Sequence, residues 1–325
     1  MVNMANVICE KLGIKYPILQ GPMAWASDSK LVASVSEAGG LGMLGVGFAP
    51  PEVVRAEIEK TKELTKKPFG LNILMFSPCV DEISNIAVES KVKVLAVGAM
   101  PNNFTVLPEY IKKWKDSGME IIGKAASVEE AKAFDKAGVD FISLKGYEGG
   151  GHIFGFTGTI ALVPEVVDCV SVPIIASSGI ADGRGIAAAL MLGAKAVELG
   201  SRFLLADECP VHENYKEAIF AAKEGDTTLT GVVAHDAVRQ LKNQLSDKLL
   251  KIEKNLSPEE AIPKVTEIAS GSLRRAAVEG EINETGAVLV GQICGMLKKR
   301  QSVKVIMEEL VKEYTDILKN AHSLL

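Results

Sequence analysis

Eight short apolar runs, spaced almost evenly over the first two hundred residues, constrain this chain more than any other feature. They read PILQ (17–20), GMLG (42–45), FGLNI (69–73), VLAVG (94–98), EIIGK (120–124), FISLK (141–145), PIIAS (173–177) and AVELG (196–200). Between them, stretches such as KLVASVSEAGG, PEVVRAEIEKTKEL and LPEYIKKWKDSG place apolar residues at i, i+3 and i+4, the spacing of one helix face. Several end on glycine, the residue expected just past a helix, and Ser127 with Glu130 fits a capping box. Strand–helix alternation implies a parallel sheet, and eight such units imply that it closes. The expected fold is therefore α/β, a (β/α)8 TIM barrel over residues 1–208. After Arg202 the rhythm changes: 209–300 is helical in pattern and reads as a mainly helical cap inserted after the last strand. An amphipathic helix near 302–321 then returns to the barrel, so that 301–325 belongs with 1–208.

Composition narrows the function classes. Of 325 residues, 47% are hydrophobic, enough for one large core, and 24% are charged, with a net charge of -5. No lysine- or arginine-rich run marks a nucleic-acid surface; the basic group at 298–300 reads as a solvated helix end. No apolar run approaches the roughly 18 residues of a membrane span. Glu10, Lys11 and Lys15 stand where a signal peptide would need an apolar stretch. Cys9, Cys79, Cys169, Cys209 and Cys294 form neither a CxxC pair nor a metal spacing. They read as reduced thiols of a cytoplasmic protein, and no metal is expected.

In such a barrel the reacting groups sit on the loops that follow the strands, and glycine or polar clusters stand there in this chain. Gly40-Leu41-Gly42-Met43-Leu44-Gly45 spells G-x-G-x-x-G, but it follows a helix and covers a strand, the reverse of the order a dinucleotide fingerprint requires. Ala176 to Gly183 follows the seventh run and opens a helix at about Gly185, whose start could receive an anion, while Gly200-Ser201-Arg202 follows the eighth. Loops after strands 7 and 8 are the usual phosphate site of this barrel. Glu148-Gly149-Gly150-Gly151-His152 follows the sixth run. Its glycines allow backbone to lie flat against a planar ligand, with His152 placed to donate a proton. Lys124 and Lys145 end the fifth and sixth runs, where each could touch a phosphate or a flavin oxygen, or pair with an acid. His212, His235 and His322 have no metal-like spacing.

Nine ordered segments resemble the nitronate monooxygenase / 2-nitropropane dioxygenase superfamily, and within it the FMN- and NAD(P)H-dependent enoyl-acyl-carrier-protein reductases of type II fatty-acid synthesis. They are YPILQGPMAW (16–25), SEAGGLGMLG (36–45), KPFGLNI (67–73), GYEGGGHI (146–153), SGIADGRG (178–185), GSRF (200–203), VHENYKEAI (211–219), HDAVRQLKNQL (235–245) and GAVLVGQICGML (286–297). The last three point to the reductase branch. The resemblance implies that Gly21, Pro22, Met23 and Ala24 lie against the isoalloxazine and that Asn72 bonds the ring. It implies further that Gly150 and Gly151 lie near the flavin and ribityl chain, that Ser178, Gly179, Gly200 and Ser201 hold the phosphate, and that His152 is catalytic. Lys124 is a further cofactor-contact candidate. The chain departs from the reductases at Pro22, where they carry glycine as in QGGMAW. It departs again at Lys145, where they carry an acid, and at Ser177-Ser178, where they carry Gly-Gly.

The implied activity is NAD(P)H-dependent reduction of an enoyl thioester through FMN, on a small-molecule or acyl-carrier-protein-bound substrate, with a homodimer as one candidate assembly. Oxidation of alkyl nitronates with oxygen is the alternative. A non-flavin phosphate-binding isomerase or lyase is a third reading, and a non-catalytic flavin module, which fits poorly with a large cap, is a fourth.

Overall fold

The computed structural model describes residues 6–47, 49–98 and 104–324, with the backbone alone at 322 and 324, so His322 lies outside the described side chains. Each apolar run forms a strand: β1 Ile18–Gln20, β2 Gly42–Leu44, β3 Phe69–Leu74, β4 Val94–Gly98, β5 Glu120–Ala125, β6 Phe141–Lys145, β8 Ile174–Ser177 and β9 Ala196–Leu199. These eight pair in parallel in the order β1-β9-β8-β6-β5-β4-β3-β2, and a parallel bridge between Leu19 and Leu41 closes the ring.

The strands are apolar on both faces because each face meets a different core. Leu19, Met43, Val94, Ala96, Ile122, Phe141, Ile175 and Ala196 point inward, where Ile8 and Leu12 of the N-terminal helix Val7–Leu12 join them. Their sequence neighbours Ile18, Leu44, Leu95, Val97, Ile121, Ile142, Ile174 and Val197 pack against the surrounding helices. This period-two division is the geometry of a pleated strand covered on both sides.

The glycines of the G-x-G-x-x-G string serve close packing. A methyl built on Gly42 would lie 2.1 Å from the Val32 carbonyl oxygen, and one on Gly45 would lie 2.2 Å from that of Met23. Ser127 caps helix Val128–Ala137 by accepting from the Glu130 N–H at 3.1 Å, but the Glu130 carboxylate reaches the Ala126 N–H at 2.7 Å, so the box is displaced by one residue.

The 209–300 segment, read in its sequence as mainly helical, also holds strands that the sequence did not reveal. Alongside helices Glu213–Ala221, Gln244–Asn255 and Pro258–Ala269 it contains a hairpin of β10 Thr227–Thr230 and β11 Val238–Leu241. β11 pairs in turn with β7, Gly151–His152, in the loop after β6. Strands this short give almost no periodicity. The basic group at 298–300 is not a helix end: Lys298 donates to the carbonyls of Phe220 and Ala222, and Arg300 pairs with Glu213 and Glu217. Helix Val303–Asn320, capped by Ser302, returns to lie against helices Gly183–Met191 and Ser29–Glu37.

Candidate active site

Strand parity decides which side chains reach the barrel mouth. Ile122 points inward, so Lys124, two residues on, continues the same row; Phe141 is likewise followed by Ser143 and Lys145, Ile175 by Ser177, and Ala196 by Glu198. The interior is thus apolar below and polar at the C-terminal ends of the strands. Lys124 donates to both Glu198 oxygens and, at 3.0 Å, to Ser143 Oγ. The Ser143 and Ser177 hydroxyls each stand 3.2 Å from the same carboxylate. Glu198 is only 7% exposed, and these bonds supply the satisfied lone pairs that a buried ion pair requires. Lys124 therefore has the acidic neighbour its position allowed.

Lys145 has no such partner among the described residues; its ammonium donates to the Gly150 carbonyl at 3.0 Å. Its side chain keeps some exposure, yet burial around the amine, and then the charge of Lys124, push its pKa down to about 8 against the attraction of Glu198. Above about pH 8 the folded chain releases a proton that the unfolded chain keeps up to the ordinary 10.5, so the cost of burying this charge is progressively relieved across that window. Urea midpoints of the wild type should accordingly rise from pH 8 to 10 relative to Lys145→Met. Parallel curves would mean a lysine solvated like any other.

The first loop is braced from below. Buried Gln20 donates to Gly21 O, to Ser27 Oγ at 2.7 Å and to Met43 O at 3.3 Å, and Ser27 Oγ accepts from the Met23 N–H at 3.0 Å. Gly21 lies against Glu198, since a methyl there would sit 2.9 Å from its carboxylate; one on Gly200 would sit 3.5 Å from Met23 Sδ. Pro22 and Ala24 are partly exposed in the same loop. Asn72 Oδ1 accepts from the Val46 and Gly47 N–H groups at 2.9 and 3.0 Å, which leaves its NH2 as the donor available to a ligand.

After β8, Ser178 and Gly179 adopt φ of 86° and 71°. Left-handed turns of this kind build the concave N–H surfaces that accept anions. The Thr159 hydroxyl, 3.1 Å from the Ser178 carbonyl, and Glu148, which accepts from the Thr159 N–H at 2.9 Å, hold the strained turn in place. The Ser178 hydroxyl has no partner among the described residues.

The helix beyond this loop corrects the sequence reading. It begins at Gly183, and its first amides are taken: Asp182 accepts from the Arg184 and Gly185 N–H groups at 3.0 and 3.4 Å, and Glu313 accepts from the Gly183 N–H at 2.8 Å. Two carboxylates occupy that positive end, leaving the Ser178-Gly179 turn and the Gly200-Ser201 turn as the candidate donors to an anion. Arg202 also turns away, to Gln301 Oε1 at 2.5 Å. Ser201 Oγ accepts from the Gly291 N–H at 2.9 Å, and a methyl on Gly150 would lie 2.6 Å from Val290 C, so residues 290–291 bridge the two glycine loops.

His152 stands at the edge of this mouth, 39% exposed, with Nε2 3.2 Å from Asp236 Oδ1 and its ring stacked on Phe154 at 6.1 Å between centroids. Bonding to His152 holds the Asp236 carboxyl below its usual range, against an opposing effect of burial. His212 is structural: it caps helix Glu213–Ala221 by accepting from the Asn214 N–H at 3.1 Å. His235 lies in a left-handed turn. No group of three metal-ligating side chains occurs among the described residues. Glu198, Ser143 and Asp236 escaped the sequence reading. Parity within AVELG and FISLK could have revealed the first two.

An unspent amide at Asn72, an unspent hydroxyl at Ser178, two tight turns and an uncompensated ammonium at Lys145 suit a planar, polar ligand carrying a phosphate. Comparisons with known proteins give the family. The family model described as nitronate monooxygenase matches residues 5–313. Probable nitronate monooxygenases of Staphylococcus haemolyticus and Staphylococcus saprophyticus are 30% and 31% identical, over 96% and 98% of this chain and 98% and 99% of theirs. Among solved structures, FabK from Thermotoga maritima superposes with a TM-score of 0.92 at 39% identity, covering 99% of this chain and 100% of its own. A nitroalkane oxidase from Streptomyces ansochromogenes superposes with a TM-score of 0.81 at 26% identity, covering 97% and 99%. With a full-length match of that kind and relatives that are oxidoreductases throughout, the chain belongs to the nitronate monooxygenase family and is an oxidoreductase.

Proposed function

We propose that this chain binds FMN and reduces an enoyl thioester at the expense of NADH or NADPH. The observation that carries this reading is the 39% identity to FabK, an enoyl-acyl-carrier-protein reductase, over 99% of the chain, the 209–300 segment included. FMN, when bound, would accept a hydride from the nicotinamide and return it to the β-carbon of the acyl group; that chemistry belongs to the cofactor. The chain's part is to hold and shield. The Ser178-Gly179 and Gly200-Ser201 turns would take the phosphate, Gly150 and Gly151 would lie along the ribityl chain, and Gly21 to Ala24 and Asn72 would meet the ring, with Lys124 and Lys145 beneath. His152 would supply the proton. Residues 209–300 would act as a separate substrate domain on the barrel made by 1–208 and 301–325.

A second reading, oxidation of alkyl nitronates with oxygen, is favoured by Gly21-Pro22-Met23 and by the names of the staphylococcal relatives. Two assays separate them: anaerobic NADH or NADPH oxidation with a crotonyl thioester, and oxygen uptake with an alkyl nitronate. Nitronate-dependent oxygen uptake without thioester-dependent nicotinamide oxidation would overturn the reductase reading. Heat-released cofactor should have the mass of FMN. FAD would overturn the phosphate-turn assignment, and a colourless protein would remove both activities.

We further propose a cytoplasmic enzyme that engages neither nucleic acid nor membrane. The net charge of -5 supports the former, and no described helix is long and apolar enough to cross a bilayer. Ser178→Asp is expected to abolish cofactor retention, because a carboxylate would replace the unspent hydroxyl beside a phosphate dianion. A yellow variant with wild-type flavin content would place the phosphate elsewhere.

A further inference from the structure

Three consecutive glycines give a loop little reason to hold a side chain still, since each is free to leave its native conformation. The β10–β11 hairpin restrains both ends of this one. Downstream, His152 lies opposite Val238 and Gly151 opposite Arg239, and the Ile153 N–H donates to Ala237 O at 2.7 Å. Upstream, Arg239 sets its guanidinium 4.8 Å over the Tyr147 ring and donates to Tyr147 O at 3.1 Å. Arg239 is 3% exposed and has no acidic partner among the described residues; its other bond goes to Thr227 Oγ1 at 3.3 Å. A buried cation held by a carbonyl, a hydroxyl and an aromatic face acts as a clamp on the loop.

The turn of the same hairpin aims a carboxylate at the histidine. Gly231 and His235 take φ of 80° and 52°, and the Gly231 carbonyl accepts from the Ala234 and Asp236 N–H groups, each at 3.1 Å. Asp236 Oδ1 thereby comes within 3.2 Å of His152 Nε2. With Nε2 engaged, Nδ1 is the nitrogen left for a ligand, and it has no partner among the described residues.

We propose that Asp236 is the positioning residue of His152. It fixes the ring with Nε2–H on the carboxylate and Nδ1 toward the substrate, and it supports the positive ring while Nδ1 carries a proton. When that proton passes to the substrate, the ring becomes neutral and keeps Nε2–H on Asp236, so its orientation survives the transfer. Histidines oriented by a carboxylate on the opposite nitrogen follow the same logic. The inference rests on His152 facing the substrate.

The test uses Asp236→Ala, Asp236→Asn and His152→Ala on whichever of the two substrates the wild type turns over. Asp236 is 65% exposed, so its variants should fold and retain cofactor. Asp236→Ala is expected to lower kcat by about 10- to 100-fold with KM little changed, and added formate should restore part of the loss by supplying a carboxylate. Asp236→Asn keeps an acceptor oxygen and should fall between the wild type and the alanine variant. If His152→Ala itself turns over within a few-fold of the wild type, both the histidine reading and this inference fall. If His152→Ala is inactive while Asp236→Ala is nearly unimpaired, the inference alone fails. It also fails alone if Asp236→Ala raises KM without responding to formate.

Discussion

His152→Ala is expected to fold and to retain flavin while, on the proposed reductase activity, turnover of an enoyl thioester drops by about 10²–10⁴-fold, the usual cost of removing one positioned proton-transfer group. Stability should change little, because the ring is 39% exposed and its carboxylate partner Asp236 is 65% exposed. NADH oxidation with an artificial electron acceptor should fall far less, since that half of the reaction needs no proton from this side chain. Steady-state kinetics with both acceptors decide the matter. Equal losses would indicate a damaged pocket, and turnover within a few-fold of the wild type would pass the proton to another rim group, with Lys145 next in line.

Glu198→Leu is expected to destabilise the barrel by about 3–5 kcal/mol, the cost of stranding a buried charge. The carboxylate accepts from Lys124, Ser143 and Ser177, and its removal leaves two ammonium groups, Lys124 and Lys145, on adjacent strands without an anion between them. Adding Lys124→Met should recover most of the loss, because replacing a whole buried pair by apolar groups is often neutral or better. Urea denaturation of the single and double variants would show it. Equal stability for Glu198→Leu and the wild type would mean that water or ions already screen Lys124.

The barrel was readable because its strands carry it locally: VLAVG and FISLK become β4 and β6 residue for residue. The glycine loops were readable because strand ends tell where a barrel's mouth lies. Three features were not, each for a reason of distance or length. Glu313 spends the amide of Gly183 from 130 residues away, so a helix start that looked open to an anion is closed. The strands 227–230 and 238–241 are too short to show alternation among TTLT and VRQL. Asp236 meets His152 only because that hairpin forms, so no spacing in the sequence could announce the pair. Glu198, by contrast, was in plain view: counting by twos from the inward Ala196 places it at the mouth.

The seating of helix Val303–Asn320 against helix Gly183–Met191 has a consequence for the order of events during synthesis. Until residue 313 leaves the ribosome, the Gly183 amide lacks the acceptor it has in the finished protein, and the surface that meets Ile306, Met307 and Leu310 lies bare. All eight strands will by then have emerged, but the helix behind the Ser178-Gly179 turn will be uncovered on its outer side. That corner of the barrel is therefore completed only once residue 313 has emerged, and a chain stalled before position 303 would expose apolar surface that invites chaperones or aggregation.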